Sequence, residues 1–299
     1  MRKRRSRLTL DLAGYGFVAP VVLVIGVMII YPIIRSFIMS VTNWNMASGA
    51  ASHAFVGLKN FKSVFELSEF GQMSKVTLLY TVIGVLGKMY VGLAVALLLN
   101  RAFRGRSIVR ALVVVPWAIP SVVVATVFLI SLDPTFGIIN GTLVHSGIIA
   151  KGIPFLSVPA LAMTSIIGVA VWRYFPFVTL MLLAGLQGIP KELYEVAAID
   201  GANAWRRFLH VTWPLLKPVW SIVLILQIVW TIREFDLVYL ITKGGPGSST
   251  AVIGVDIYLN AFRYLRLGTA AAESVFLTLI SMIFALFYMR AVRKSEGKS

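Results

Sequence analysis

Apolar residues come in long, almost uncharged runs separated by short polar gaps, with no period-two alternation of the kind a half-buried strand leaves. A helix needs about 20 apolar residues to cross about 30 Å of hydrocarbon. Six stretches meet that need, at about 12–38, 76–99, 108–132, 159–187, 218–240 and 270–289. The first is uncharged from Leu12 to Ile34 and follows Arg2-Lys3-Arg4-Arg5 and Arg7. Its apolar core is too long for a secretory signal and no small-residue cleavage site precedes Arg35, so it reads as a retained span. Lys88 interrupts the second span, Arg173 the fourth, and Arg233, Glu234 and Asp236 the fifth. The pattern predicts an all-α membrane protein of six transmembrane helices. Residues 1–299 read as one membrane domain, without an internal repeat or an attached soluble domain.

Charge fixes an expected orientation. Segments on the side of the N-terminus hold 17 Lys and Arg, against six in the segments at about 42–74, 133–158 and 241–269. Under the positive-inside rule both termini are cytoplasmic: a basic N-tail at 1–11 and a C-tail at 290–299. With 58% hydrophobic and only 13% charged residues, the composition excludes an ordinary soluble enzyme and a disordered chain. The net charge of +16 does not point to nucleic acid, because it is confined to the gaps between apolar runs.

Several chemistries drop out. The chain has no Cys, which removes disulfides, thiolate metal sites and iron–sulfur clusters. His53, His145 and His210 lie in different loops and make neither a metal cluster nor a triad. No G-x-x-x-x-G-K-[ST] phosphate loop exists, and the run Gly244–Thr250 is glycine-rich but lacks Lys, so it reads as a flexible turn. No nucleotide, metal or other cofactor is expected on this chain, and no catalytic residue. Energy for a pump would come from a partner or from an ion gradient.

Two sets of residues remain as candidates. The inner segment at 188–217 is the one internal inner stretch long enough to meet a cytosolic partner. Gly188 and Pro190 end the fourth span, KELYEVAAI at 191–199 favours a helix, Gly201 stops it, and a second helix follows over about 203–212. Trp205, Phe208, Leu209 and Thr212 share one face of that second helix, with Arg206, Arg207 and His210 on the other. Pro214 and Pro218 bracket the start of the fifth span. The element either rests in the headgroups or docks on a partner. The other set lies within the spans, where an ionisable group is costly and therefore a functional candidate: Lys88, Arg173, Arg233, Glu234 and Asp236. Arg233 and Asp236, three apart, are expected to pair on one helix face. These charges either neutralise one another or line a polar path. Pro116, Pro120 and Pro176 lie inside spans, where they free carbonyls or kink the helix.

Glu195-Val196-Ala197, Asp200-Gly201-Ala202, Phe208, Pro214 and Pro218 together resemble the EAA loop of the membrane subunits of binding-protein-dependent ABC importers. Three further stretches resemble the carbohydrate branch, the maltose-type permeases: Phe55–Phe61, Gly137–Asn140, and Phe235-Asp236 through Thr242-Lys243-Gly244-Gly245-Pro246. The resemblance covers nearly the whole chain; Val196 and Trp213 depart from the family's usual Ala and Leu. It implies a type I importer permease fold in a bacterial or archaeal plasma membrane. It also implies a second homologous permease, two ABC ATPase subunits that carry ATP and Mg, and an extracytoplasmic solute-binding protein. Glu195, Val196, Ala197, Asp200, Gly201, Ala202 and Phe208 would then form the ATPase-coupling element. The charged set, with the aromatics Trp117, Trp172, Tyr174, Phe177, Trp230 and Tyr239, would line the path of a sugar. Lys88, Arg173 and Arg233 hint that this sugar is anionic. An ion-driven secondary transporter is the competing reading; it is disfavoured by the lack of internal repeats. An intramembrane enzyme would need a convergent His, Ser or acid set that the sequence does not offer.

Overall fold

The computed structural model describes residue 15 and residues 17–46, 53–66 and 68–296. The basic N-tail and the start of the first span lie outside the described residues, as do residues 297–299 of the C-tail. Among the described residues the fold is helical, with only isolated bridges, Thr42 to Phe55 and Asn45 to Arg266, in place of strands. The chain forms two compact units, one of residues 1–67 and 257–276, the other of residues 68–256 and 277–299.

In the first unit, α1 (Phe17–Ser40) is 24 residues long, about 36 Å at 1.5 Å per residue, and its apolar window is entirely unburied. A π-helical turn at Gly26–Ile30 precedes Pro32, with the Tyr31 N–H reaching the Gly26 carbonyl. The wider turn accommodates a proline that has no N–H and crowds the carbonyl four residues back. Helix α2 (Lys59–Glu66) is fastened to the end of α1 by Asn60, whose Nδ2 donates to the Ser40 and Thr42 carbonyls at 2.9 and 3.0 Å. Asn60 belongs to the Phe55–Phe61 stretch singled out above, so this part of the resemblance has a structural job.

The second unit is built on α3 (Ser68–Asn100). It is followed by α4 (Arg106–Ala118), α5 (Ser121–Ser131), α6 (Ile138–His145), α7 (Pro159–Gln187), α8 (Lys191–Ile199), α9 (Ala204–Ile232), α10 (Asp236–Thr242) and α11 (Ile253–Tyr258). Helix α11 crosses the division after Asp256, and α12 (Leu267–Glu296) crosses it again after Phe276. Glycine sets the closest contact. A Cβ at Gly87 would lie 2.7 Å from Val171 Cγ2, and one at Gly92 would lie 2.5 Å from Val178 Cγ1. Small residues let α3 and α7 approach this closely, where apolar burial alone gives two helices in lipid little reason to associate. Below them Met89, Ala96, Leu99, Val178, Leu182, Leu216 and Val223 form a buried core.

Two spans differ from expectation. The third is not one rod: α4 and α5 bend by 91° at Ile119-Pro120. Both residues are extended, as expected for Pro120 and the residue before it. Among the described residues, five helices are therefore long and apolar enough to cross a membrane alone, and six with the bent pair counted as one span. The fifth span begins earlier than expected. Residues 203–212 are not a separate helix but the first turns of α9, joined to it through a π-helical turn at Phe208–Thr212. That turn stands before Pro214 as the first π turn stands before Pro32, for the same steric reason. At its other end α9 stops at Ile232, and α10 starts afresh at Asp236.

Candidate functional site

The first candidate region is the element after α7. Helix α8 has no buried residue. It ends in a six-residue motif that needs a left-handed residue at its fifth position. The Ala202 N–H bonds the Ala197 carbonyl at 2.9 Å, the Gly201 N–H bonds Ala198 at 3.1 Å, and Gly201 holds φ +75. This is the glycine C-cap of a Schellman turn. Asn203 then caps α9, its side chain accepting from the Arg206 N–H at 2.9 Å. The two helices are tied by Tyr194 Oη and Thr212 Oγ1, 3.0 Å apart. Glu195, Val196, Asp200 and Gly201 are exposed, Ala197 and Ala202 half-buried. Half-buried Phe208 stacks on Trp205 with ring centroids 5.7 Å apart. Beneath this joint lies an open cleft of about 760 Å³, whose lining includes Asn100, Arg101, Tyr194, Trp205, Arg207 and Phe208. Leu193, Val196 and Ile199, three apart, are 42, 56 and 85% exposed. Sequence reasoning passed over Leu193 and Ile199, although each stands three residues from Val196.

The second region gathers around the two breaks. Lys88 on α3 is 1% exposed. Its ammonium donates to Thr231 Oγ1 at 2.8 Å and lies 4.8 Å from the Tyr174 ring centroid. Glu234, in the gap between α9 and α10, is half-buried and lies within electrostatic range of Lys88 and Tyr174. Three sequence candidates thus converge: Lys88, Tyr174 and Glu234. Thr231 and the buried Tyr80, which lies in the electrostatic range of Glu234, were not expected there. Tyr80, Gly84 and Lys88 sit at i, i+4 and i+8, a spacing that marks one helix face. Trp117, Phe177 and Trp230, from α4, α7 and α9, form an aromatic trio with centroid separations of 5.9 and 4.9 Å. Trp172 packs instead on Phe128, and Tyr239 on Phe235.

The expected pairing of Arg233 with Asp236 does not form. The helix breaks between them, so their spacing no longer places them on one face. Asp236 accepts from Ser121 Oγ at 3.0 Å, at the start of α5. Arg233 is exposed at the end of α9. Among the described residues, Lys62 to Glu66 is the ion pair within 4 Å. Arg173 spends a guanidinium N–H on the Ile119 carbonyl and lies over the Tyr174 ring at 5.2 Å.

The remaining family-like stretches also have physical jobs. Asn140, 2% exposed, donates to the Asp133 and Ile153 carbonyls at 3.0 Å and accepts from the Ile153 N–H at 2.8 Å. The glycine-rich run after α10 is closed rather than open. Thr250 Oγ1 donates to the Gly245 carbonyl and meets Thr242 Oγ1, both at 2.7 Å.

Residues 88–296 match the sequence profile of the binding-protein-dependent transport system inner membrane component. The trehalose/maltose transport system permease protein MalF of Thermococcus litoralis is 36% identical over 94% of this chain and 93% of its own length. The sulfoquinovosyl glycerol transport system permease protein SmoG of Agrobacterium fabrum is 34% identical over 93% and 89%. In fold, a chain from the crystal structure of a bacterial ABC transporter importing the acidic polysaccharide alginate superposes with TM-score 0.85, covering 98% of this chain and 99% of that one, at 22% identity. The chain therefore belongs to the binding-protein-dependent transport system inner membrane components, the multi-pass permease subunits of ABC importers.

Proposed function

We propose that this permease carries a sugar or sugar derivative, a mono- or oligosaccharide, and that α8 couples its movement to ATP hydrolysis on a partner. The observation that carries the reading is the foot itself. An exposed helix with a stripe of unburied Leu193, Val196 and Ile199 ends on a glycine that fixes the chain reversal, and a tyrosine bond ties it to the next span. A soluble chain would bury that stripe; a docking element leaves it for a groove on the partner. Glu195 and Asp200, both exposed beside it, offer charge-assisted bonds to that partner.

The sugar class rests on the relatives named above. In their manner the transporter would comprise this chain, a second and different permease, two ATPase subunits holding ATP and Mg, and an external solute-binding protein. Both termini would face the cytoplasm, with residues 1–299 acting as one permease domain. Closure of the ATPases would carry α8 with them and switch the path from one side of the membrane to the other. The trio Trp117, Phe177 and Trp230 supplies faces on which sugar rings stack, and the cluster of Lys88, Tyr174, Thr231 and Glu234 supplies hydroxyl partners. Two of the three intramembrane cations are already engaged, Lys88 by Thr231 and Arg173 by a carbonyl, so they leave little free charge to demand an anionic sugar. Affinity purification of the chain in detergent followed by uptake in vesicles tests the reading. A co-purifying ATPase and uptake that needs internal ATP are expected. Uptake that runs on a proton or sodium gradient without ATP would overturn it.

A further inference from the structure

We infer that α4 and α7 are strapped together at both ends into one lever, and that Arg106 and Arg110 are positioning residues which transmit the movement of the foot to the break at Ile119-Pro120. The inference deepens the coupling proposed above and rests on it. The straps are of two kinds. At the foot, Gln187 is the last residue of α7, with only Gly188, Ile189 and Pro190 between it and α8. With its side-chain amide turned so that the oxygen faces α4, it accepts from Arg110 Nη2 at 2.6 Å and from Arg106 Nη2 at 2.9 Å. At the other end, Arg173 of α7 donates to the carbonyl of Ile119, the first residue past α4.

The lengths agree. Arg173 and Gln187 are separated along α7 by about 21 Å, and Arg106 and Ile119 along α4 by about 20 Å, at 1.5 Å per residue. Between the two straps α4 and α7 are also joined by Trp117 and Phe177. Two guanidiniums on one neutral oxygen, rather than on a carboxylate, make an attachment whose members repel each other. It is therefore directional without being deep, which suits a joint that must move as a piece. The end of α7 adds to it, because its free carbonyls favour cations. A shift of α8 would pull Gln187, Gln187 would carry α4, and α4 ends where the third span turns by 91° beside the aromatic trio. The sequence showed Arg106 and Arg110 only as orientation charges.

The natural absence of Cys allows a direct test in the assembled complex, reconstituted in nanodiscs with its ATPases. Ala118→Cys places a single thiol at the end of α4, and a membrane-impermeant maleimide reads its accessibility with and without MgATP and vanadate. In the parent, trapping is expected to change the labelling rate by about fivefold or more, the lower end of ordinary allosteric coupling. R106Q/R110Q and, separately, Gln187→Leu are expected to reduce that change to less than about twofold, while R106K/R110K, which can still donate to Gln187, restores it. Gln187→Leu removes only a neutral, exposed acceptor, so a folding failure of the double variant does not blunt the test. A parent-like change in both strap variants overturns the lever, and so does a Lys variant that behaves like the Gln variant. Gly201→Asp, made in the same background, separates the two claims. If it abolishes the change while the strap variants do not, the lever falls and the docking foot stands. No change on trapping in the parent overturns both.

Discussion

Removal of the charge on Glu234 alone should destabilise the protein more than removal of both Glu234 and Lys88. Lys88 is buried to 1% exposure, and its ammonium has one hydroxyl acceptor and one aromatic face. Glu234 is a carboxylate within electrostatic range of it, beyond 4 Å. In Glu234→Gln the hydrogen-bonding shape survives, but a buried cation loses its counter-charge. The two charges stand more than 4 Å apart and Glu234 is half-buried, so the loss is expected at about 1–3 kcal/mol, below the ~3–5 kcal/mol of a contacting buried pair. At about 2–4 °C per kcal/mol for a chain of this size, the melting temperature falls by about 2–12 °C. Lys88→Met strands the carboxylate in the same way and should cost a similar amount. The double variant K88M/E234Q buries no unmatched charge and should return to within about 1 kcal/mol of the parent. Thermal melting of the purified protein in one detergent, read as a double-mutant cycle, decides the matter. Single losses under about 1 kcal/mol, or a double variant as weak as the sum of the singles, would refute the pairing and leave Lys88 as an unmatched cation held by Thr231.

Three further outcomes follow from particular contacts. Gly92→Ala puts a methyl within 2.5 Å of Val178 Cγ1 and 3.2 Å of the Thr179 nitrogen, so melting should fall by the equivalent of about 1–3 kcal/mol, and Val178→Ala should recover part of that loss. Gly201→Ala meets nothing within 4 Å but must hold φ +75, so a fall in melting of about 1 kcal/mol is expected with ATPase association retained; a larger loss would mean that the position is packed. Single cysteines at exposed Glu192 and exposed Ser248 should label from opposite sides of intact vesicles; labelling of both from one side would overturn the orientation.

The long apolar runs were legible because each apolar residue adds to the same signal, and so was the turn at Gly201, because little else fits a left-handed position. The breaks were not. Pro116, Pro120 and Pro176 all lie in apolar runs, yet α4 continues through Pro116 and α7 through Pro176, and the chain turns only at Pro120. What distinguishes Pro120 lies elsewhere in the fold: Arg173 donates to the carbonyl of Ile119, left open where α4 ends, and Asp236 receives Ser121 on the far side. A proline states that an N–H is missing, and only tertiary contacts say whether the chain turns there. The same limit explains the candidate path. Lys88, Tyr174 and Glu234 were visible as costly or amphipathic groups in apolar surroundings, and they do meet. Arg233 and Asp236 were paired by helical spacing, which lapsed once the helix ended at Ile232.

The central claim is that α8 seats in an ATPase, and Ile199 tests it most directly. It is 85% exposed at the tip of the foot, in a chain that has no natural thiol. With Ile199→Cys as the single thiol and a short thiol-to-amine cross-linker applied to the assembled transporter in membranes, the account predicts a covalent adduct between this permease and its ATPase. Efficient linking of that thiol to this chain itself or to lipid, with no ATPase adduct, would contradict it.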